Sequence, residues 1–184
     1  MKKRAVFLDR DGTLVKDSGY FHDAERVEFL PGVIEGLRRL QSAGFLLIVV
    51  SNQSGVGRGY FPECDTIAVN EKITELLKKE GVRIAKFYYC PHAPDAGCAC
   101  RKPKPLLVAR AAKEFGVAIT SSFFIGNHAT DVETGRAAGL TAMFLGSAAE
   151  AASAGADAHA PDMRAAAEEI LKTGSRRGGR FAVR

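Results

Sequence analysis

The sequence predicts one α/β domain of the Rossmann-like, three-layer type, with a mainly parallel sheet between two layers of helices. Short apolar segments alternate with amphipathic ones along the chain, and strands separated by helices of this length require right-handed crossovers. The continuous apolar run Phe45–Val50 is typical of a strand that is buried on both faces of a sheet. With 184 residues, 46% of them hydrophobic, the chain is long enough to bury one sizeable core.

The bounds of the individual elements follow from hydrophobic spacing and from turn residues. Val33, Leu37 and Leu40, for example, recur at helical spacing directly after Pro31 and Gly32, which favour the start of a helix. The predicted strands are Arg4–Leu8, Phe45–Val50, Ile84–Tyr89, Ser122–Ile125 and Thr141–Phe144. The predicted helices are Gly32–Ala43, Pro62–Lys79, Pro105–Phe115, Asp131–Ala138 and Pro161–Leu171.

The formal charge of +5 comes mostly from the end of the chain, where residues 175–184 hold four arginines and no acidic residue. We therefore assign residues 1–172 to the folded domain and residues 173–184 to a basic, disordered tail. Because the rest of the chain is nearly neutral, we do not expect a nucleic-acid partner. The first apolar stretch stops after Leu8, far short of a signal-peptide core or a membrane span. These features predict a cytoplasmic protein that makes no use of a membrane, and we expect a monomer.

The first predicted strand leads directly into two carboxylates, Asp9 and Asp11, which are followed by Gly12. Since side chains alternate along an extended backbone, Asp9 and Asp11 can point the same way at the carboxyl end of the strand. Two acids in this position can divide nucleophilic and acid/base work, which indicates a phosphate-handling enzyme. The alternative is an ordinary surface turn, in which Asp and Gly are favoured residues.

Three further predicted strands end in polar residues that suit phosphate chemistry. These residues are Ser51, Asn52, Gln53 and Ser54 after the second strand, Arg101 and Lys102 after the third, and Asn127, His128 and Asp131 after the fourth. In open parallel sheets, ligands bind outside the carboxyl ends of the strands. We therefore expect these side chains to converge with the two aspartates at one edge of the sheet.

A cysteine and histidine cluster precedes the predicted lysine. Cys90, His92, Cys98 and Cys100 supply three thiols and an imidazole within eleven residues, which is enough to saturate tetrahedral zinc. A closed shell of this kind leaves no open coordination position, so the zinc is predicted to be structural. A disulfide is the competing interpretation, but a cytoplasmic chain keeps its thiols reduced and the histidine would then have no role.

The order of these motifs resembles the haloacid dehalogenase-like superfamily of aspartate-nucleophile phosphatases, whose four motifs lie at four strand ends. The stretches Ser51–Phe61 and Cys90–Pro103 are similar to the D-glycero-D-manno-heptose 1,7-bisphosphate 7-phosphatases, with histidinol-phosphate phosphatases as the nearest relatives. The likeness runs from about Val6 to Phe144. It implies a phosphomonoesterase whose substrate is a small phosphorylated sugar, with removal of the 7-phosphate of the heptose bisphosphate as the expected reaction.

The resemblance also implies a role for each residue. Asp9 would attack phosphorus to form an aspartyl-phosphate, and Asp11 would act as general acid and then as general base. Ser51 and Lys102 would hold the phosphoryl oxygens during transfer. The implied substrate-binding residues are Asn52, Gln53, Ser54, Arg101, Lys102 and His128.

A catalytic Mg²⁺ is implied by the same resemblance, with Asp9, the main-chain carbonyl of Asp11 and the first acid of the fourth motif as ligands. That acid is Asn127 in this chain, which removes one negative charge from the metal shell, and Asp131 could compensate. His128 stands where those phosphatases carry a lysine. Two alternatives therefore stay open, namely a histidinol-phosphate phosphatase and a catalytically impaired relative that binds phosphate or nucleic acid.

Many relatives of this superfamily cover the active site with a large cap domain. The stretch between Thr13 and Pro31 and the stretch after Ser51 are too short for such a domain. We therefore expect an open site that is screened only by short loops and by the zinc loop.

Overall fold

Six strands form a single sheet in the computed structural model, which describes residues 2–175. The strands are β1 (Ala5–Leu8), β2 (Leu46–Asn52), β3 (Ile84–Cys90), β4 (Phe123–Gly126), β5 (Thr141–Leu145) and β6 (Ala158–Ala160). Their order across the sheet is β3-β2-β1-β4-β5-β6, and every neighbouring pair is parallel. The three-layer α/β prediction is confirmed, and in the described residues the sheet is parallel throughout.

Seven helices accompany the sheet in the part of the chain that the structure describes. They are α1 (Val33–Ser42), α2 (Ser54–Gly57), α3 (Glu63–Lys79), α4 (Leu106–Phe115), α5 (Ala129–Ala137), α6 (Ala148–Ala154) and α7 (Met163–Ser175). The sequence analysis did not predict α2, α6 or β6. Residues 173–175 continue α7, and the remainder of the predicted tail, residues 176–184, lies outside the described residues.

The central position of β1 determines where the polar strand ends meet. Its four residues are all fully buried, and Leu8 pairs with Val49 of β2 on one side and with Ile125 of β4 on the other. After β1, the chain adds β2 and then β3 on one side of that strand. It then crosses to the other side of β1, where it forms β4. The carboxyl ends of β1, β2 and β4 therefore surround a point at which the direction of winding changes, where ligands bind in this architecture.

Two hydrophobic cores, one on each face of the sheet, hold the helices against it. Leu37 and Leu40 of α1 are fully buried in the larger core, which α3 and α7 share, and burial of each such side chain contributes about 1.5–3 kcal/mol. A Cβ atom on Gly36 would lie 2.4 Å from the carbonyl oxygen of Met163, so α1 and α7 approach closely only because residue 36 is glycine. The opposite face of the sheet carries a second core with α4.

None of the helices in the described part of the chain combines the length and the apolar character that a membrane span requires.

Candidate active site

A buried ion cluster lies at the carboxyl edge of the sheet. The ammonium Nζ of Lys102 lies 2.6 Å from Asp9 Oδ1 and 2.6 Å from Asp131 Oδ1, and it donates a third hydrogen bond to the carbonyl oxygen of Val50 at 2.9 Å. Burial by itself would lower the pKa of Lys102, but the charges of the two carboxylates raise it above its ordinary value. Lys102 is therefore held as a cation between the ends of β1 and α5.

Asp131 is held from two sides. Its Oδ1 accepts from Lys102, and its Oδ2 accepts from the main-chain N–H of His128 at 3.0 Å. Burial and then the charge of Asp9 raise the pKa of Asp131 to about 6, while Lys102 and the N–H of His128 act in the opposite direction. Asp131 is therefore a buried carboxyl group that both a cation and a main-chain N–H hold in place.

Asp11 is held by a different pair of side chains. Its Oδ1 accepts from Arg10 Nε at 3.0 Å, and its Oδ2 accepts from Gln53 Nε2 at 2.7 Å. Burial raises the pKa of Asp11, although the charge and the hydrogen bond of Arg10 oppose this effect. A raised pKa keeps more of the acid protonated near neutral pH, which suits a general acid.

Two glycines make room for the polar groups. Gly12 has a φ of +76°, and a Cβ atom there would lie 2.4 Å from Asn127 Nδ2. A Cβ atom on Gly126, the last residue of β4, would lie 2.3 Å from Asp131 Oδ2. Any side chain at either position would displace a residue of the predicted site.

A cleft of about 260 Å³ opens over these carboxylates. Nine of the predicted site residues line it, namely Asp9, Asp11, Asn52, Gln53, Ser54, Arg101, Lys102, His128 and Asp131. Phe21 and Phe61 from the two covering loops also face it. Nη1 of Arg101 is buried and has no hydrogen-bond partner among the described residues.

Ser51 and Asn127 are not among the lining residues. Ser51 is 3% exposed, and its Oγ accepts from Gln53 Nε2 at 3.0 Å. Asn127 is half-buried, and its Oδ1 accepts from Thr13 Oγ1 at 3.1 Å. Neither side chain therefore forms part of the surface of the cleft.

The side chains of Asn52 and Gln53 line the cleft, yet their amides are already engaged by the protein. Asn52 donates to the carbonyl of Lys102 at 3.2 Å and accepts from its N–H at 3.0 Å. Gln53 bonds Asp11, Ser51 and Arg10 at the same time. The predicted substrate-binding role stays a prediction for both residues. In the structure, Asn52 holds the main chain of Lys102, and Gln53 holds the side chain of Asp11.

Arg10 is the residue that the sequence analysis missed. Although it stands between two aspartates, it is fully buried and bonds Asp11, Gln53, Asn70 and the carbonyl of Phe21. The alternation that places Asp9 and Asp11 on one side sends residue 10 to the other, which is the signal that could have indicated its burial.

The residues that were predicted to hold Mg²⁺ offer ligand atoms that suit this ion. Asp9, Asp131, Asn127 and the main-chain carbonyl of Asp11 can each present an oxygen atom, which hard divalent cations prefer. The three carboxyl groups of Asp9, Asp11 and Asp131 outnumber the two buried cations, Arg10 and Lys102, that pair with them. A divalent cation would balance the carboxylates that are ionised.

The four predicted zinc ligands come together at the end of β3. The Sγ atom of Cys90 lies 3.5 Å from that of Cys98 and 3.2 Å from that of Cys100, and Cys100 Sγ lies 3.2 Å from His92 Nδ1. All four ligand atoms lie within 4.8 Å of one another. Thiolate and imidazole ligands of a tetrahedral zinc lie about 3.5–3.8 Å apart, so the cluster could hold this ion with little adjustment.

The thiols of this cluster differ in acidity. Burial and the hydrogen bond with Cys100 raise the pKa of Cys90 to about 12. Burial would also raise the pKa of Cys98, but hydrogen bonds from Cys90 and from the main-chain N–H groups of Arg101 and Cys100 lower it to about 6. Cys98 is therefore the more acidic of these two thiols, and thiolates are the form in which cysteines bind metals.

The fold and the convergence of these carboxylates on a lysine define a hydrolase of the haloacid dehalogenase-like class. Residues 99–169 match the family model described as HAD-hyrolase-like. A D-glycero-beta-D-manno-heptose-1,7-bisphosphate 7-phosphatase of Pasteurella multocida is 41% identical over 142 residues, which are 74% of this chain and 77% of the relative. The enzyme of that name from Helicobacter pylori is 42% identical over 133 residues, 72% of this chain and 77% of the relative.

The chain therefore belongs to the D-glycero-D-manno-heptose-1,7-bisphosphate 7-phosphatase family. A solved structure agrees with this assignment. The D,D-heptose 1,7-bisphosphate phosphatase of B. bronchiseptica, in a complex with magnesium and phosphate, aligns with a TM-score of 0.84 and 29% identity over 92% of this chain and 99% of that one. The resemblance drawn from the motifs is confirmed, and the protein is a phosphatase.

Replacing Cys98 with Ser tests the zinc cluster. We expect Cys98→Ser to weaken zinc binding by about tenfold or more, because it removes one of the three sulfur ligands of the cluster. The measurement is chelator competition combined with elemental analysis of the purified chain. Cys64→Ser is the matched control, because Cys64 is exposed and lies outside the cluster. Equal zinc binding by the two variants would contradict the assignment.

Proposed function

We propose that this protein is a Mg²⁺-dependent phosphomonoesterase that removes the 7-phosphate of D-glycero-D-manno-heptose 1,7-bisphosphate through an aspartyl-phosphate on Asp9. One observation carries this proposal. Two carboxylates at the end of β1 line the same cleft but are held differently, Asp9 by the ammonium of Lys102 and Asp11 by Arg10 and Gln53. Different surroundings are how two like acids acquire different catalytic roles.

The first step forms the covalent intermediate. Lys102 holds Oδ1 of Asp9, and Oδ2 accepts no hydrogen bond from the described residues, so Oδ2 is the attacking atom. The bond from Oδ2 to phosphorus forms as the bond from phosphorus to the sugar oxygen breaks. Asp11 gives its proton to that leaving oxygen, a contribution worth about 10²–10⁴-fold in rate.

The second step restores the enzyme. Asp11, now a carboxylate, takes a proton from a water molecule, and the resulting nucleophile attacks phosphorus. The bond to Asp9 breaks, inorganic phosphate leaves, and Asp11 is protonated again for the next cycle. Lys102 stays paired with Asp9 and stabilises the negative charge that develops on the phosphoryl oxygens.

We place the magnesium on Asp9, the main-chain carbonyl of Asp11, Asn127 and Asp131. When bound, this ion would screen the charge of the phosphate from the carboxylates and orient it for in-line attack. Asp131 supplies the second carboxylate of the set, since residue 127 is neutral in this chain. The structural support is the buried position of Asp131 beside Asp9, with Lys102 between them.

The substrate assignment rests on the relatives and on the cleft. The cleft of about 260 Å³ has room for a small sugar phosphate, and Arg101 lines it, where its guanidinium would bind a second anionic group.

We further propose a cytoplasmic, monomeric enzyme. All four cysteines are free thiols, three of them in the predicted zinc cluster, and this usage is typical of a reducing compartment.

The nucleophile is tested by Asp9→Asn. We expect this variant to release phosphate at least about 10³-fold more slowly, because a neutral amide cannot form the covalent intermediate. Rapid-quench mass spectrometry of the wild-type protein should show one added phosphoryl group, absent from the variant. Asp95→Asn, at an exposed position away from the cleft, is the control. Turnover of the Asp9 variant close to that of the control would refute the assignment.

Residue 127 is asparagine where the resemblance implies an acid, so restoring the acid tests its part in Mg²⁺ binding. We expect Asn127→Asp to tighten Mg²⁺ binding by about tenfold, because it returns a negative charge to the ligand set. Isothermal titration with Mg²⁺ measures this directly, without reference to turnover. Ala129→Asp adds the same charge two residues away and serves as the control. An unchanged affinity in Asn127→Asp would show that residue 127 does not contact the metal.

Substrate choice is tested by comparing kcat/KM for both anomers of the heptose bisphosphate and for histidinol phosphate. We expect the preferred heptose anomer to exceed histidinol phosphate by about tenfold or more, because only the bisphosphate offers a second anion to Arg101. The reverse order would identify a histidinol-phosphate phosphatase. Failure to release phosphate from any of them with Mg²⁺ present would indicate the impaired, phosphate-binding relative.

A further inference from the structure

Arg10 is the largest side chain in the described part of the molecule that is fully buried. A guanidinium is almost never buried completely unless its charge is paired and its N–H groups are bonded. Arg10 does not line the cleft, so it cannot contact the substrate in the way that Arg101 can. Arg10 takes part in neither step of the proposed mechanism, yet acceptors from three segments of the chain bond its guanidinium.

The partners of Arg10 lie in the loop between β1 and α1, directly after β2, and in α3. Nε donates to Asp11 Oδ1 at 3.0 Å, and Nη1 donates to Asn70 Oδ1 of α3 at 3.1 Å. Nη2 donates both to the carbonyl of Phe21, at 3.0 Å, and to Gln53 Oε1, at 2.8 Å. The planar guanidinium offers its donors in a fixed fork, so these four acceptors define one orientation of the group.

Gln53 closes a ring between Arg10 and Asp11. Because Arg10 occupies the Oε1 atom of Gln53, the amide must direct Nε2 towards Asp11 Oδ2, at 2.7 Å, and Ser51 Oγ, at 3.0 Å. One oxygen of Asp11 is therefore held by Arg10 directly, and the other is held by an amide whose orientation Arg10 fixes. The plane of the carboxyl group cannot rotate without breaking one of these bonds.

We infer that Arg10 is a positioning residue, which, together with Gln53, orients the carboxyl group of Asp11 for proton transfer to the leaving oxygen. The inference rests on the proposed function, since it concerns the step in which that oxygen departs. A general acid has to lie within hydrogen-bond reach of the atom that it protonates, and small errors of placement are costly in rate. Arg10 acts through Asp11 and does not contact the reacting atoms.

Arg10 also connects this acid to the cover of the cleft. The carbonyl of Phe21 belongs to the loop between β1 and α1, and the side chain of Phe21 lines the cleft. The same guanidinium therefore positions the acid and one wall of the binding site. Both bonds are made by the planar guanidinium of Arg10, whose shape is fixed.

The variant that tests this inference is Gln53→Met, which keeps the side-chain length but removes the donor to Asp11 Oδ2. We expect the single-turnover rate at which the dephosphorylated sugar is released from the heptose bisphosphate to fall by about tenfold or more, within the range of general acid catalysis. For p-nitrophenyl phosphate, whose leaving group departs without a proton, we expect less than about a threefold loss in the single-turnover rate of p-nitrophenol release, which precedes hydrolysis of the aspartyl-phosphate. Arg10→Lys, which keeps the charge but cannot reach four acceptors, should show the same dependence on the leaving group.

Asn70→Ala is the matched control, because Asn70 bonds the same guanidinium but does not contact Asp11. We expect this variant to lose thermal stability and to keep the wild-type ratio of the two rates. A merely structural role for Arg10 would lower both rates equally in Gln53→Met and Arg10→Lys, and this outcome would overturn the inference. If the wild-type protein releases no phosphate from the heptose bisphosphate, the proposed substrate fails instead.

A double-mutant cycle gives a second measurement on the heptose bisphosphate alone. If Gln53 acts through Asp11, adding Gln53→Met to Asp11→Asn should lower single-turnover phosphate release by less than about twofold, because the acid is already absent. Multiplication of the two separate losses would show that Gln53 acts independently of Asp11. That result would overturn the inference whatever the outcome with p-nitrophenyl phosphate.

Discussion

The buried ammonium of Lys102 is the interaction on which the rest of the site depends. It contacts Asp9 after β1, Asp131 in α5 and the carbonyl of Val50 in β2, so it joins three separate segments at one point. A buried charge that loses its partner is strongly destabilising, whereas one that is paired and hydrogen-bonded can be maintained. Because Lys102 follows the cysteine and histidine cluster by two residues, the order of that loop and the charge balance of the site are linked.

A second network, centred on Arg10, holds the other carboxylate. The two networks have different designs. Asp9 is bound through one oxygen, whereas both oxygens of Asp11 accept hydrogen bonds from the protein. In the proposed mechanism, the nucleophile needs a free lone pair, while the proton donor and acceptor needs a fixed direction. Two residues of the same type, two positions apart in the chain, thus have surroundings that suit different chemistry.

The secondary structure and the cleft residues could be predicted from the sequence where the local pattern agrees with the overall fold. Apolar runs identified five strands, and the polar residues after them identified most of the cleft. The three-residue strand β6 and the four-residue α2 are too short to show a clear period. Helix α6 also lacks strong periodicity, although the capping box of Ser147 and Glu150 and the final Gly155 were signals that could have indicated it. Long-range pairing was equally unreadable: the amides of Asn52 and Gln53 turn towards catalytic groups, and the charge of Arg10 is compensated by acceptors up to 60 residues away.

The two glycines beside the cleft have a consequence for protein engineering. Gly12 and Gly126 leave the space that Asn127 and Asp131 occupy, and no side chain can be added there without collision. Grafting this chemistry onto another parallel α/β scaffold would thus begin with deleting two side chains at neighbouring strand ends. Copying only the charged residues would transfer the reactive groups without the empty volume in which they meet.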